Sequence, residues 1–267
     1  AQQPHPFLHG RSTIFGTMPD WNPAEIIGTR PRPLALSLYR ELVTDAIWAY
    51  QRNNYGYRNL RSFPLVVHFA GQPYIDVRLS FNSFIPKDIE GGLADRLVDY
   101  YVDQLTVAPT LHDKVEFEIV FSCYTLDLPE RLKILADFGF SENDQTQLAE
   151  SLRLLTNRII HQKDGLWRAD EAKLTILSQK RELILASGLD PVSRMYWLIE
   201  DCKRYGTLPF AGLARAGFIA VQMLKSLVSV GVFSQDEYDR FMNGLNTISS
   251  QLSRDLGSLD RTSFLAR

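Results

Sequence analysis

Two groups of residues in this chain have the types and spacing to do chemistry. The first lies in Met18-Pro19-Asp20-Trp21-Asn22-Pro23-Ala24-Glu25-Ile26-Ile27-Gly28. Asn22 is a good N-cap, Pro23 suits the first helical position, and Glu25 falls where a capping box needs its carboxylate. Gly28 offers an early stop, so the spacing predicts a helix of barely a turn and a half. So short a helix stabilises little by itself. It serves either as an entry turn with Trp21 stapled into the core, or as a device holding Asp20, Glu25 and free backbone N–H groups at an anion-attracting helix start. The second group is read from two runs predicted to be strands. Along Tyr74–Phe81, Ile75, Val77, Leu79 and Phe81 alternate with Tyr74, Asp76, Arg78, Ser80 and Asn82. Along Lys114–Tyr124, Val115, Phe117, Ile119, Phe121 and Cys123 form the apolar set, and Lys114, Glu116 and Glu118 begin the other. Side chains alternate across a strand, so in one sheet the polar sets share a face. Arg78 there can take a carboxylate bidentately, Glu116 or Asp76 an ammonium, and Asn82 an amide, which suits a zwitterionic small molecule. The same alternation also describes the solvated face of any antiparallel sheet.

Weaker candidates flank these. Tyr55-Gly56-Tyr57-Arg58-Asn59 follows a long helix, with Gly56 as its C-cap, and either ends that helix or closes over a ligand. Arg215 sits among Ala211, Gly212, Ala214, Ala216 and Gly217. It is either paired with a core carboxylate or aimed at a ligand anion. The five histidines lack metal-ligand spacing, and no zinc site or other metal is expected.

The elements that position these residues divide into two halves. Ala1–Gly16, rich in Pro, His and Gln, reads as a linker or arm. Residues 17–128 mix signals: a helix over Leu34–Asn53, strands over Leu65–Phe69, Tyr74–Phe81 and Lys114–Tyr124, and a helix over Leu93–Leu105. Residues 129–267 read as all-helical, with Ser141…Asp144, Asp190-Pro191 and Ser234…Glu237 each opening a helical run. The fold class is therefore α+β, a small mostly antiparallel sheet followed by a helical half. A length of 267 residues allows one large domain or two medium ones. With 45% hydrophobic and 22% charged residues and a net charge of −2, nothing argues for nucleic acid or an anionic membrane as partner. Cys123 and Cys202 are too few for a disulfide framework and suit a reducing cytoplasm. No signal segment opens the chain, and its most membrane-like stretch, Leu208–Val230, carries Arg215, Gln222 and Lys225, as a core helix would. Without an initiating Met, the chain reads as a piece of something longer.

Four segments taken together carry a resemblance: 19–28, 74–84, 111–117 (Leu-His-Asp-Lys-Val-Glu-Phe) and 205–211 (Tyr-Gly-Thr-Leu-Pro-Phe-Ala). They resemble the central region of phosphoenolpyruvate synthase-related phosphotransferases, closest to the L-glutamine kinase type of capsule phosphoramidate biosynthesis. The resemblance implies a cytoplasmic, multidomain kinase. An ATP-grasp domain using ATP and Mg phosphorylates a histidine on a swivelling domain, which carries the phosphoryl group to an acceptor. This chain shows neither of those domains' patterns, so by the resemblance it is the substrate-binding part, not catalytically complete by itself and with no cofactor of its own. It lacks the repeated strand–helix pattern of a TIM barrel, so pyruvate chemistry is not implied. On this reading Arg78 holds the acceptor's carboxylate and Glu116 or Asp76 its ammonium, while Asn82, Ser83 and Lys114 face the group receiving phosphate. Lys114 and Arg58 supply charge to the transferring phosphoryl, and Asp20 or Glu25 takes the amide proton. Two other readings remain: a docking module scaffolding the mobile domains, and a kinase domain for a different small metabolite.

Overall fold

The computed structural model describes residues 4–89, 91–245, 247 and 251. The chain is α+β, with a three-stranded antiparallel sheet near its start and helices elsewhere. Strands β1 (Phe15–Gly16), β2 (Val66–Phe69) and β3 (Gln72–Asp76) lie in the order β1-β3-β2. β2 and β3 form a hairpin in which Phe69 faces Gln72 and Val66 faces Ile75. Its turn is Ala70-Gly71 with φ of 50° and 79°, the two left-handed residues that match the twist of a hairpin.

Helices α1 (Pro23–Ile26), α2 (Pro33–Tyr39), α3 (Ile47–Tyr55), α4 (Val77–Asn82), α5 (Gly91–Val107) and α6 (Val115–Glu118) fill the first half. The single helix expected over 34–53 is broken. A π-helical segment, Arg40–Thr44, follows α2, and Ala46, at φ −147°, separates it from α3. The carbonyl of Thr44 accepts instead from the backbone N–H of Leu65 at 2.8 Å, tying the break to the start of β2.

Both long strand expectations are corrected. The chain leaves the sheet at Asp76, whose carboxylate caps α4 by accepting from the Leu79 N–H at 3.0 Å. The alternation that suggests a strand arises because α4 is buried on every side. Val77 and Phe81, one turn apart, face a core shared with α5 and α8, while Leu79 faces a second core built by Trp48, Leu65 and Ile75. The second run begins as the single turn α6 and continues as an irregular stretch with no ladder partner among the described residues. Side chains satisfy its backbone. Tyr101 Oη accepts from the Phe121 N–H at 3.3 Å, Tyr57 Oη donates to the Ser122 carbonyl at 2.6 Å, and Thr156 Oγ1 accepts from the Tyr124 N–H at 2.8 Å. Burial pushes the Tyr57 phenol up to about 12, so it stays a donor at neutral pH.

After β3 no described residue is in a strand. The helices are α7 (Leu128–Leu132), α8 (Glu142–Ile160), α9 (Leu166–Ala186), α10 (Pro191–Asp201), α11 (Leu208–Ser229) and α12 (Gln235–Gly244). All three predicted caps form: Ser141 and Ser234 head complete capping boxes, and Asp190 accepts from two backbone N–H groups. A π-helical segment, Cys202–Thr207, joins α10 to α11. The joined stretch 191–229 is long and apolar enough by composition to cross a membrane. Two compact units divide the chain. One holds residues up to 124 with 128–220; the other holds 125–127 with the described residues from 221 onward. Within the second unit the Leu126 N–H donates to Ser226 Oγ at 3.2 Å.

Candidate functional site

The first unit contains a cavity of ≈ 380 Å³ lined by four pieces of chain: α1 with the turn before it, Arg52 of α3, α6 with Asp113 before it, and α11. That volume suits a small metabolite.

The turn is strained. Asp20, Trp21 and Asn22 are three successive non-glycine residues with φ of 52°, 54° and 33°, a left-handed run that costs roughly 1–2 kcal/mol per residue. Asn22 therefore does not cap α1 with its side chain, and the expected capping box is absent. Its Nδ2 donates instead to Glu25 Oε2 at 3.1 Å. Three contacts hold the run in place. Tyr39 Oη donates to the Trp21 carbonyl at 2.6 Å, Ser80 Oγ donates to Asp20 Oδ2 at 3.1 Å, and Arg52 Nη2 donates to Asp20 Oδ1 at 3.1 Å. Burial, with the nearby charge of Asp20, raises the Tyr39 phenol far above its ordinary value, which keeps that donor protonated. Gly28 ends the turn with φ 83°.

The floor is a buried quartet of two guanidiniums and two carboxylates. Arg215 pairs with Glu116, Nη2 donating to Oε1 at 2.8 Å and Nη1 lying 2.8 Å from Oε2. Arg52 bridges Glu116, at 3.4 Å, and Asp20. Both guanidiniums lie on the ring of Phe84, with Cζ to centroid distances of 4.5 and 5.0 Å. Desolvation, the largest single effect, works against the charge on Arg215, but Glu116, Tyr57 and Asp20 together outweigh it and raise the guanidinium above the usual arginine range. At formal charges the two guanidiniums and two carboxylates of the floor sum to zero.

α11 brings Arg215 to the floor because its neighbours are small. A Cβ on Gly212 would lie 1.9 Å from Asp170 Oδ2 and 2.4 Å from Tyr55 Oη, so only glycine lets the helix come this close to α3 and α9. Tyr55 donates to Asp170 at 2.7 Å, and Lys173 donates to the other oxygen at 2.8 Å. Burial first, then the hydrogen bond to Asp170, raises the Tyr55 phenol strongly. From this anchor α11 turns Phe210, Ala211, Ala214, Arg215 and Phe218 toward the cavity. Phe210 meets Trp21 with ring centroids 6.3 Å apart, and Phe218 meets Phe117 at 5.3 Å.

Of the residues singled out from the sequence, Asp20, Glu25 and Glu116 come together here. Asp76, Arg78, Asn82, Ser83, Arg58 and Lys114 do not line this cavity, and the sheet face expected to gather the polar strand residues does not form. Asp76 is the α4 cap and accepts from Thr13 Oγ1 at 2.7 Å. Arg78 is buried in α4. Asn82 clasps the arm, with Nδ2 donating to the His9 carbonyl at 2.9 Å and Oδ1 accepting from the His9 N–H at 2.8 Å. Ser83 Oγ donates to the Ser80 carbonyl at 2.6 Å. Arg58 bonds His9 Nε2 and, at 3.2 Å, the Phe7 carbonyl. Lys114 is exposed at the start of α6, outside the cavity wall. For Arg215, which the sequence left between a core pairing and a ligand role, the structure gives both a carboxylate partner and a place in the wall. Sequence reasoning missed Arg52 and Asp113. Asp113 sits inside one of the four resembling segments, a signal that was available. Arg52 lies among polar helix residues and carried none.

Among the described residues no three His, Cys, Asp or Glu side chains converge to hold a metal ion. In comparisons with known proteins, no family model, no curated protein and no solved structure matches the chain.

Proposed function

We propose that this cavity is the acceptor site of a multidomain, ATP-dependent phosphotransferase that works through a phosphohistidine, and that its acceptor is L-glutamine or a similar amino acid. The observation that carries the reading is convergence. The four segments of the resemblance are far apart in sequence, yet 19–28, 111–117 and 205–211 all contribute wall residues to one cavity. The fourth, 74–84, supports its floor through Ser80 on Asp20 and Phe84 beneath both guanidiniums. Small size, apolar walls and groups of both charges suit a compact polar metabolite. A neutral amide is a weak nucleophile, so transfer to it depends on holding the acceptor in line with the phosphoryl donor. A strained turn and a cross-linked floor supply that rigidity. ATP and Mg act, on this reading, in the domains that the resemblance implies elsewhere.

The test is calorimetric titration of the chain with L-glutamine, beside Ala214→Trp, which puts a bulky side chain into the cavity from a half-buried wall position. The expected result is saturable heat with Kd at or below about 1 mM, the upper end of ordinary metabolite affinities, and its loss in the variant. No heat, or equal heats, refutes the reading.

A docking role is the second reading, and one observation favours it. Leu183 on α9 and Val192, Met195, Tyr196 and Trp197 on α10 are 43–70% exposed, a concentration of apolar surface that commonly marks a protein contact. Failure of L-glutamine and of other small metabolites to bind would leave that reading in place.

A further inference from the structure

Four carboxylates and two guanidiniums line the cavity: Asp20, Glu25, Asp113 and Glu116 against Arg52 and Arg215. Two positive and four negative charges leave −2. Both guanidiniums are ion-paired within the floor, Arg215 with Glu116 and Arg52 with Asp20 and Glu116. An incoming carboxylate or phosphate would share those guanidiniums with the carboxylates already paired to them and meet their like charge. Glu25 and Asp113 differ. They are exposed at the cavity's mouth and make no ion pair among the described residues; Glu25 accepts only a neutral hydrogen bond, from Asn22 at 3.1 Å. Beside them stand the aromatic pairs Trp21–Phe210 and Phe117–Phe218, whose ring faces attract cations.

We infer that the cavity selects its ligand by a primary ammonium, held between Glu25, Asp113 and the aromatic wall, and excludes a carboxylate or phosphate from that position. The ligand class is a small primary amine with an apolar or amide-bearing body. An α-carboxylate is dispensable for recognition. This rests on the cavity being the ligand site, as proposed above, but not on the ligand being L-glutamine.

The test compares ligands that keep or lose the ammonium, on the full chain, by calorimetry and saturation-transfer NMR at low ionic strength, where mouth charges are least screened. Phenethylamine and 3-phenylpropionate form one set; L-glutamine, L-glutaminamide and N-acetyl-L-glutamine form the other. Phenethylamine is expected to bind at least tenfold more tightly than 3-phenylpropionate, and L-glutaminamide at least as tightly as L-glutamine. N-acetyl-L-glutamine is expected to bind at least tenfold more weakly. In Glu25→Gln/Asp113→Asn, whose exposed amides preserve shape and whose folding is checked by circular dichroism, the preference within each set falls toward unity. Equal or tighter binding of the anionic or acetylated member, survival of the preference in the double variant, or no binding by any compound overturns the inference. If phenethylamine is preferred to 3-phenylpropionate while the glutamine set does not bind, charge selection stands and the glutamine reading falls. If L-glutamine and N-acetyl-L-glutamine bind alike, the glutamine reading stands and charge selection falls.

Discussion

Replacing Glu116 by Gln removes the charge that holds Arg215 while keeping the side chain's volume. Arg215 is fully buried, and Glu116 is its only carboxylate partner within ion-pair distance among the described residues. Arg52 is better supplied, since Asp20 remains to it at 3.1 Å. An arginine cannot escape the low-dielectric interior by losing its proton, so the full penalty of an uncompensated buried charge appears as lost stability. Removing one partner of a buried pair typically costs about 3–5 kcal/mol, whereas replacing both by apolar groups of similar volume is often neutral. Glu116→Gln is therefore expected to destabilise by about 3–5 kcal/mol, and Glu116→Gln/Arg215→Met by much less. The assay is urea unfolding of the wild type, both single variants and the double variant, followed by far-ultraviolet circular dichroism and analysed as a double-mutant cycle. A single-variant cost near that of an exposed ion pair, about 0–1 kcal/mol, would show that Arg215 reaches water and that the quartet is not a buried floor. A double variant no better than Glu116→Gln would refute the assignment of the penalty to Arg215.

Gly212→Ala places a methyl group 1.9 Å from Asp170 Oδ2, so α11 must move or the Tyr55–Asp170 bond must break; a loss of at least the ~1–3 kcal/mol typical of overpacking is expected in the same urea assay. Cys123 is buried, which pushes its thiol up to about 11, and Cys202 is partly exposed. A thiol reagent on the native protein should label Cys202 and spare Cys123 until denaturant is added; labelling of both at one rate would contradict the burial. The caps predict a pH dependence. Hydrogen bonds from Ser193 hold the Asp190 carboxyl below its ordinary value, and those from Ser234 do the same for Glu237. A carboxyl depressed by folding stabilises the fold above its unfolded pKa, about 4, and loses that contribution as pH falls through the lower folded value. Helix content should decline below about pH 4, and Asp190→Asn should flatten its share of the decline; an unchanged acid profile would remove Asp190 from the cause.

How much of this was legible depended on whether a residue's role is local. Ser141, Asp190 and Ser234 cap their helices using residues two or three positions away, so the signal is complete within a few letters. The α5 helix needs only its own apolar stripe. The run 74–82 fails for the opposite reason. Its alternation is real, but it is produced by a helix between two cores, and no local pattern records that a second core lies behind Leu79. Likewise 119–124 resembles a strand in its alternating apolar letters, while the backbone groups of Phe121, Ser122 and Tyr124 bond to Tyr101, Tyr57 and Thr156, which are remote in sequence. The candidate site follows the same rule. Asp20 and Glu25 were visible as an unusual turn, and Arg215 as a charge among small residues. Arg52 became significant only when folding set it between Asp20 and Glu116.

The turn at Asp20-Trp21-Asn22 is where these levels meet. A helix start with Asn, Pro and Glu at the right offsets ordinarily caps itself, yet here the backbone is turned left-handed and the side-chain cap is given up. Consecutive strained residues persist only where the surroundings over-determine them. Here Tyr39, Ser80 and Arg52 each hold a different atom of the run, and each comes from a different helix. A plain capped turn would need none of these clamps. What the strained geometry achieves is an inward Asp20 that completes the ionic floor, with Trp21 in the wall against Phe210 and Glu25 at the mouth. The strain thus supports the cavity rather than α1, which at four residues contributes little stability of its own.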